Sequence, residues 1–226
     1  VGRCIIVLAL PRSGSSCVAG ALYRLGVNMG EGYLQPKDKL NKRGYYEDRR
    51  WQKINKGLVG SRYGHKEPEV LPDKVITRTY RLALQCDNEP LWGFKGPRAC
   101  FTYHLITPVI QRVTKDIRVV VVDRQLKAIA KSLQRHSHKA YKNVRLSWEE
   151  SVNLMKEWNE AKKSRVKWFE EAGIPMHYIY FPDLLNDTWG ILEKLYPFVF
   201  DGYEKYFCGL NSAAEWVDPK LVHFGR

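Results

Sequence analysis

The 226-residue chain carries 37 Lys and Arg against 24 Asp and Glu, a formal net charge of +13. Its 44% hydrophobic and 27% charged residues exclude a mostly disordered chain, and no apolar run reaches the roughly 18 residues of a membrane span. The length suits one domain, residues 1–226, with a core that needs neither disulfides nor a structural metal.

In chain order, Arg3–Ala9 reads as a continuous apolar strand ending at Pro11. A run without alternation belongs at the centre of a sheet covered on both faces. The chain opens almost directly into it with no signal-peptide pattern, as a terse protein or one lacking an N-terminal piece would. Cys17–Leu25 is predicted helical and ended by Gly26; residues 28–46 form a long loop; Glu47–Leu58 is helical. Asp73 is expected to cap a helix to about Gln85. Leu91–Lys95 is a short strand stopped by Gly96-Pro97, and residues 103–113 are helical with a break at Pro108. Ile117–Val122 is the clearest buried strand, followed by a helix over Arg124–His136.

Ser147 with Glu150 forms a capping box for a long helix. Leu154, Trp158, Ala161, Trp168 and Ala172 are predicted as its buried stripe, and Gly173 as its end. Met176–Tyr180 is a fourth strand, Asp187–Phe198 a further helix, and the last twenty or so residues are irregular. Strands alternating with helices imply a parallel sheet covered on both faces. The five cysteines (Cys4, Cys17, Cys86, Cys100, Cys208) include no zinc or redox spacing and read as reduced, buried or semi-buried thiols.

The excess positive charge points to an anionic partner. Ala9-Leu10-Pro11-Arg12-Ser13-Gly14-Ser15-Ser16 lies between a buried strand and a helix, where free N–H groups and the helix dipole converge on anions. Compared with G-x-x-x-x-G-K-[ST], Ala9 replaces the first Gly and Ser15 the Lys, while Arg12 supplies a cation.

That loop resembles the 5′-phosphosulfate loop of sulfotransferases, whose membrane and bacterial branches carry Pro-Arg-Ser-Gly-[ST]-[ST]. The family's second signature, an Arg at a strand's end and a Ser eight residues on, is matched by Arg124 and Ser132. Three further segments are similar to bacterial sulfotransferase-like proteins: Trp92–Arg98, Asn41–Asp48 and Tyr180–Asp187. Gly96 stands where the family has Asp, and Leu126 where a Pro often follows the Arg.

The resemblance implies an α/β fold: a three-layer sandwich like that of P-loop nucleoside-triphosphate hydrolases, with a central parallel sheet. It implies an enzyme that uses 3′-phosphoadenosine 5′-phosphosulfate as donor, without a metal, while the reduced thiols point to a cytoplasmic setting. It also implies cofactor binding by Arg12, Ser13, Gly14, Ser15 and Ser16, with Arg124 and Ser132 on the 3′-phosphate. The acceptor it implies is a hydroxyl or amine on a sugar, peptide or small molecule.

Sulfuryl transfer needs cations at the leaving phosphate, for which Arg12 and Lys95 are candidates, and a base for the acceptor. Glu47 is the first choice of base. Glu31 is second, and His65, His104 and His223 are weaker. The competing reading of Glu47 and Asp48 is as helix-start residues. Arg98 is a second phosphate contact or an ion-pair partner. Tyr45, Tyr46 and Trp51 line an acceptor pocket, stack on adenine or are simply buried.

Two rival functions fit parts of the sequence. Val119–Asp123 looks like a Walker B strand of a kinase or NTPase, whose Asp would hold magnesium. A basic nucleic-acid-binding module fits the charge, but no helix is expected to concentrate Lys and Arg on one face.

Overall fold

The structure, a computed structural model, describes residues 2–39, 41–60, 67–140 and 145–218, with the side chains of 138–140 excepted. His65 and His223 lie outside the described residues, as does the end of the chain beyond residue 218.

Four strands form one sheet: β1 (Arg3–Ala9), β2 (Leu91–Lys95), β3 (Asp116–Asp123) and β4 (Met176–Tyr180). Their order is β2-β1-β3-β4 and every pairing is parallel. Every residue of β1 is buried, as its uninterrupted apolar run requires. Its side chains alternate between two cores. Cys4, Ile6 and Leu8 face the first, with Ile117, Val119 and Val121 of β3. Ile5, Val7 and Ala9 face the second, with Val120 and Val122. The result is a three-layer α/β sandwich.

The second core is closed by α1 (Ser15–Leu25), α7 (Phe181–Asn186), α8 (Thr188–Phe200) and α9 (Leu210–Trp216). The first is closed by α2 (Arg49–Val59), α3 (Asp73–Cys86), α4 (Tyr103–Ile110), α5 (Leu126–Ala140) and α6 (Trp148–Glu171). A 3-10 turn over Pro97–Phe101 joins β2 to α4. Because β1 connects to β2 on one side and β3 lies on the other, the strand order reverses at β1. The loops after the carboxyl ends of β1, β2 and β3 therefore open around one crevice.

Both halves of the Ser147–Glu150 capping box form. Gly26 ends α1 in the left-handed conformation at φ 118°, its N–H bonding back to the helix. Pro108 is accommodated inside α4 rather than breaking it.

Several expectations are corrected. Pro72 is the cap residue of α3, so Asp73 is its first helical residue and favours the helix by charge alone. The predicted stripe on α6 is displaced: Ala172 is exposed, while Leu154 and Trp168 are half-buried. The buried face is Ser151, Met155, Trp158, Ala161, Lys162, Arg165 and Phe169. Two cations sit in that face because tertiary carboxylates, Asp123 and Glu67, pair with them, which an apolar template passes over. The end of the chain is not wholly irregular, since α9 packs Ala213 into the second core. Cys208 is exposed, whereas Cys4, Cys86 and Cys100 are buried and Cys17 half-buried; all five are free thiols. α5 does gather cations: Lys127, Lys131 and Arg135 recur at four-residue steps, opposite buried Ile129, Ala130 and Leu133. Among the described residues no helix is long and apolar enough to cross a membrane.

Candidate functional site

The loop between β1 and α1 turns sharply. Arg12 is left-handed at φ 66°, unusual for a residue with a Cβ, and Gly14 at φ 96°. Gly14 is required twice over, because a Cβ there would lie 2.2 Å from a ring carbon of Phe181. Phe181, the first residue of α7, thus seats the loop from the β4 side. Ser13 is fully buried and its hydroxyl donates to the Leu10 carbonyl at 2.7 Å, closing the turn. The helix begins at Ser15, two residues earlier than the sequence predicts, and no side chain caps it. Its first N–H groups therefore face the crevice uncapped.

Three basic side chains converge on this loop. Arg12 Nε donates to Ser132 Oγ at 3.1 Å. Arg124 Nη1 donates to the Arg12 carbonyl at 3.1 Å, and its guanidinium lies 5.5 Å from the Phe181 ring centre. Arg124 stands two residues before α5 starts, so it does not lie on a helical face with Ser132. The two meet through Arg12 instead. Burial pushes the Arg12 guanidinium down from its usual pKa. Burial also pushes Arg124 down, and the neighbouring Arg12 charge adds to it. No carboxylate among the described residues forms an ion pair with Arg12. Two partly desolvated guanidinium groups in mutual repulsion are relieved by an anion placed between them.

Lys95, the last residue of β2, is 3% exposed. Its Nζ donates to Ser16 Oγ at 3.2 Å and to Glu47 Oε1 at 2.5 Å. Lys95 is therefore not a surface strand-end lysine. Glu47 does not cap α2 either; that is done by Asp48, whose Oδ1 accepts from Arg50 N at 2.7 Å. Glu47 is buried and its second oxygen accepts from Gln52 Nε2. Ser16, Lys95 and Glu47 thus form one hydrogen-bonded line across the carboxyl edge of the sheet.

Tyr45 stands beside this line. Its hydroxyl donates to Asp38 at 2.9 and 3.0 Å, and burial followed by that bond pushes its pKa up to about 12. Tyr46 packs on Tyr23 and Trp216, and Trp51 stacks on Phe94 at 4.3 Å, so these two are core residues. Glu31 is exposed and accepts from the Tyr23 hydroxyl at 3.3 Å, apart from Lys95 and the loop. His104 faces Glu67 and Arg165 on α4, away from the loop, and burial with Arg165 pushes its pKa down to about 4.

Sequence reasoning missed Lys162 and Gln52. Lys162, 4% exposed on α6, donates to the Val122 carbonyl at 3.0 Å and pairs with Asp123. Its position four residues after Trp158 in the buried face was the available signal. The carboxylate that a Walker B reading needs for magnesium is thus held by a buried ammonium. No group of three or more His, Cys, Asp and Glu suited to a metal occurs among the described residues.

No family model matches the chain, and no curated protein matches it in sequence. Solved structures do. A sulfotransferase domain from the curacin biosynthetic pathway superposes with TM-score 0.52 at 14% identity, over 95% of this chain and 82% of its own. A sulfotransferase from Mycobacterium tuberculosis H37Rv gives TM-score 0.49 at 15% identity, over 97% and 72%. A sugar kinase from Janibacter sp. HTCC2649 gives 0.43 at 11%, over 91% and 98%. The fold is sulfotransferase-like, with its cation-lined crevice where the order of the parallel sheet reverses.

Proposed function

We propose that residues 1–226 act as one sulfotransferase domain, moving a sulfuryl group from 3′-phosphoadenosine 5′-phosphosulfate to a hydroxyl or amine. The observation that carries this reading is the convergence of Arg12, Arg124 and Ser132 at the loop, beside the Lys95–Glu47 pair. Arg12 and the N–H groups of Ser13, Gly14, Ser15 and Ser16 receive the 5′-phosphosulfate. Arg124 and Ser132 receive the 3′-phosphate through charge-assisted hydrogen bonds.

Catalysis in this reading is electrostatic at one end and acid–base at the other. Lys95 and Arg12 stabilise negative charge on the bridging oxygen as the phosphate departs. Glu47 takes the acceptor proton, and its ion pair with Lys95 keeps the carboxylate facing the cation that guards the leaving group. The pairing of Asp123 with the buried Lys162 ammonium weighs against a magnesium-dependent kinase. Five free thiols suit a reducing compartment such as the cytoplasm.

Discrimination between nucleotides tests the 3′ assignment. Arg124→Ala and Ser132→Ala are expected to lose at least tenfold in affinity for adenosine 3′,5′-bisphosphate, about the 1.4 kcal/mol of one charge-assisted hydrogen bond. Their affinity for adenosine 5′-phosphate should change little. Equal losses for both nucleotides would remove these residues from the 3′-phosphate.

A further inference from the structure

Three successive residues at the start of α2 go to three different places. Tyr46 has a left-handed backbone at φ 50°, rare for a residue with a Cβ, and its side chain is buried in the second core. The next residue, Glu47, turns instead to Lys95 Nζ at 2.5 Å. The one after, Asp48, caps α2. A left-handed non-glycine residue costs free energy and persists where the surrounding packing over-determines it.

The Tyr46 ring is where that packing acts. It lies 5.5 Å from the Tyr23 ring on α1 and 5.2 Å, edge-on, from the Trp216 ring on α9. Trp216 is itself fixed. Its Nε1 donates to the Cys17 carbonyl at 3.2 Å, and Gly20 leaves it room, since a Cβ there would lie 2.3 Å from that nitrogen. Arg43, three residues before Tyr46, closes the arrangement. Its guanidinium lies 4.9 Å from the Trp216 ring centre, donates to the Trp216 carbonyl and pairs with Asp218 at 3.4 Å. The residue that precedes the carboxylate is thus gripped by α1 and α9, whereas the carboxylate's own partners, Lys95 and Gln52, lie on β2 and α2.

Building on the sulfuryl-transfer reading with Glu47 as base, we propose that Tyr46 is a positioning residue for Glu47. Its ring, held between α1 and α9, fixes the left-handed turn from which the carboxylate reaches the Lys95 side of the crevice. Without the ring the turn loses what offsets its strain, and the base loses its fixed approach. A displaced base costs rate rather than donor affinity. The groups assigned to the nucleotide, Arg12, Arg124 and Ser132, stand on other segments and bond to one another.

Water serves as the acceptor probe: the protein is given 3′-phosphoadenosine 5′-phosphosulfate alone and sulfate release is followed. A water oxygen bonds to sulfur and its proton passes to Glu47. The bond from sulfur to the bridging phosphate oxygen breaks, and its electron pair stays on adenosine 3′,5′-bisphosphate. Tyr46→Ala should lower the rate at saturating donor roughly 10- to 100-fold and leave affinity for the bisphosphate within about twofold. Tyr46→Phe, which keeps the ring, should restore the rate. In a Glu47→Gln background Tyr46→Ala should cost nothing further, because its effect passes through the carboxylate; a merely structural loss would persist there. Arg43→Gln, which loosens Trp216 and leaves Tyr46 in place, should lower the rate about threefold with the same dependence on Glu47, and it carries the test if Tyr46→Ala does not fold. A wild-type rate in these variants, an undiminished loss in the Glu47→Gln background or a parallel fall in bisphosphate affinity overturns the assignment. So does sulfate release that Glu47→Gln does not slow, or nucleotide binding without sulfate release, and both leave the donor reading standing. Failure to bind the nucleotide at all overturns both.

Discussion

Glu47 shows how a single side chain is decided by its partners. Its place before a helix fits an N-terminal charge equally well, and the sequence leaves both readings open. The structure gives the capping task to Asp48 and ties Glu47 to Lys95 and Gln52. If Glu47 is the base, Glu47→Gln should lower kcat by about 100-fold or more, with donor affinity nearly unchanged. The acidic limb of the pH–rate profile should go with it. Near-normal turnover in Glu47→Gln would return the residue to a structural role. A second residue-scale lesson is Arg12. Its cation was legible in the loop motif, but its left-handed backbone and its bond to Ser132 depend on chain segments 120 residues apart.

Elements were read well where local chemistry alone fixes them. Uniformly apolar β1 and β3, the Gly26 stop and the Ser147 box all follow from neighbouring residues. Removing the box with Ser147→Ala should cost about 1 kcal/mol, measurable as a lower denaturation midpoint. Less change than a few tenths would mean that α6 is held by its buried face alone. That face was misread because Lys162 and Arg165 are buried through tertiary partners, Asp123 and Glu67, that no periodicity reveals. Between α4 and α6, His104 gives a pH signature. Its folded pKa of about 4 lies below the usual 6.5, so the unfolded chain binds the extra proton first. Its contribution is intact above pH 6.5 and is lost as pH falls toward 4. Thermal midpoints should decline across that window in wild type and decline less in His104→Gln; parallel curves would contradict it.

At the scale of the whole molecule, the parallel order β2-β1-β3-β4 explains why residues 12, 95 and 124 meet. Each stands at or just past the carboxyl end of its strand, on the rim where the strand order reverses. The alternation of strands and helices made that rim foreseeable. The Ser16–Lys95–Glu47–Gln52 line was not, because it joins four elements through side chains. In the proposed function this rim binds a 3′-phosphorylated nucleotide with protein cations alone. Calorimetry of adenosine 3′,5′-bisphosphate with and without magnesium tests it most directly. The affinity should be the same in both conditions and weakened at least tenfold by Arg12→Ala, which removes one charge-assisted contact. No binding of the bisphosphate, or magnesium-dependent binding of ATP in its place, would contradict it.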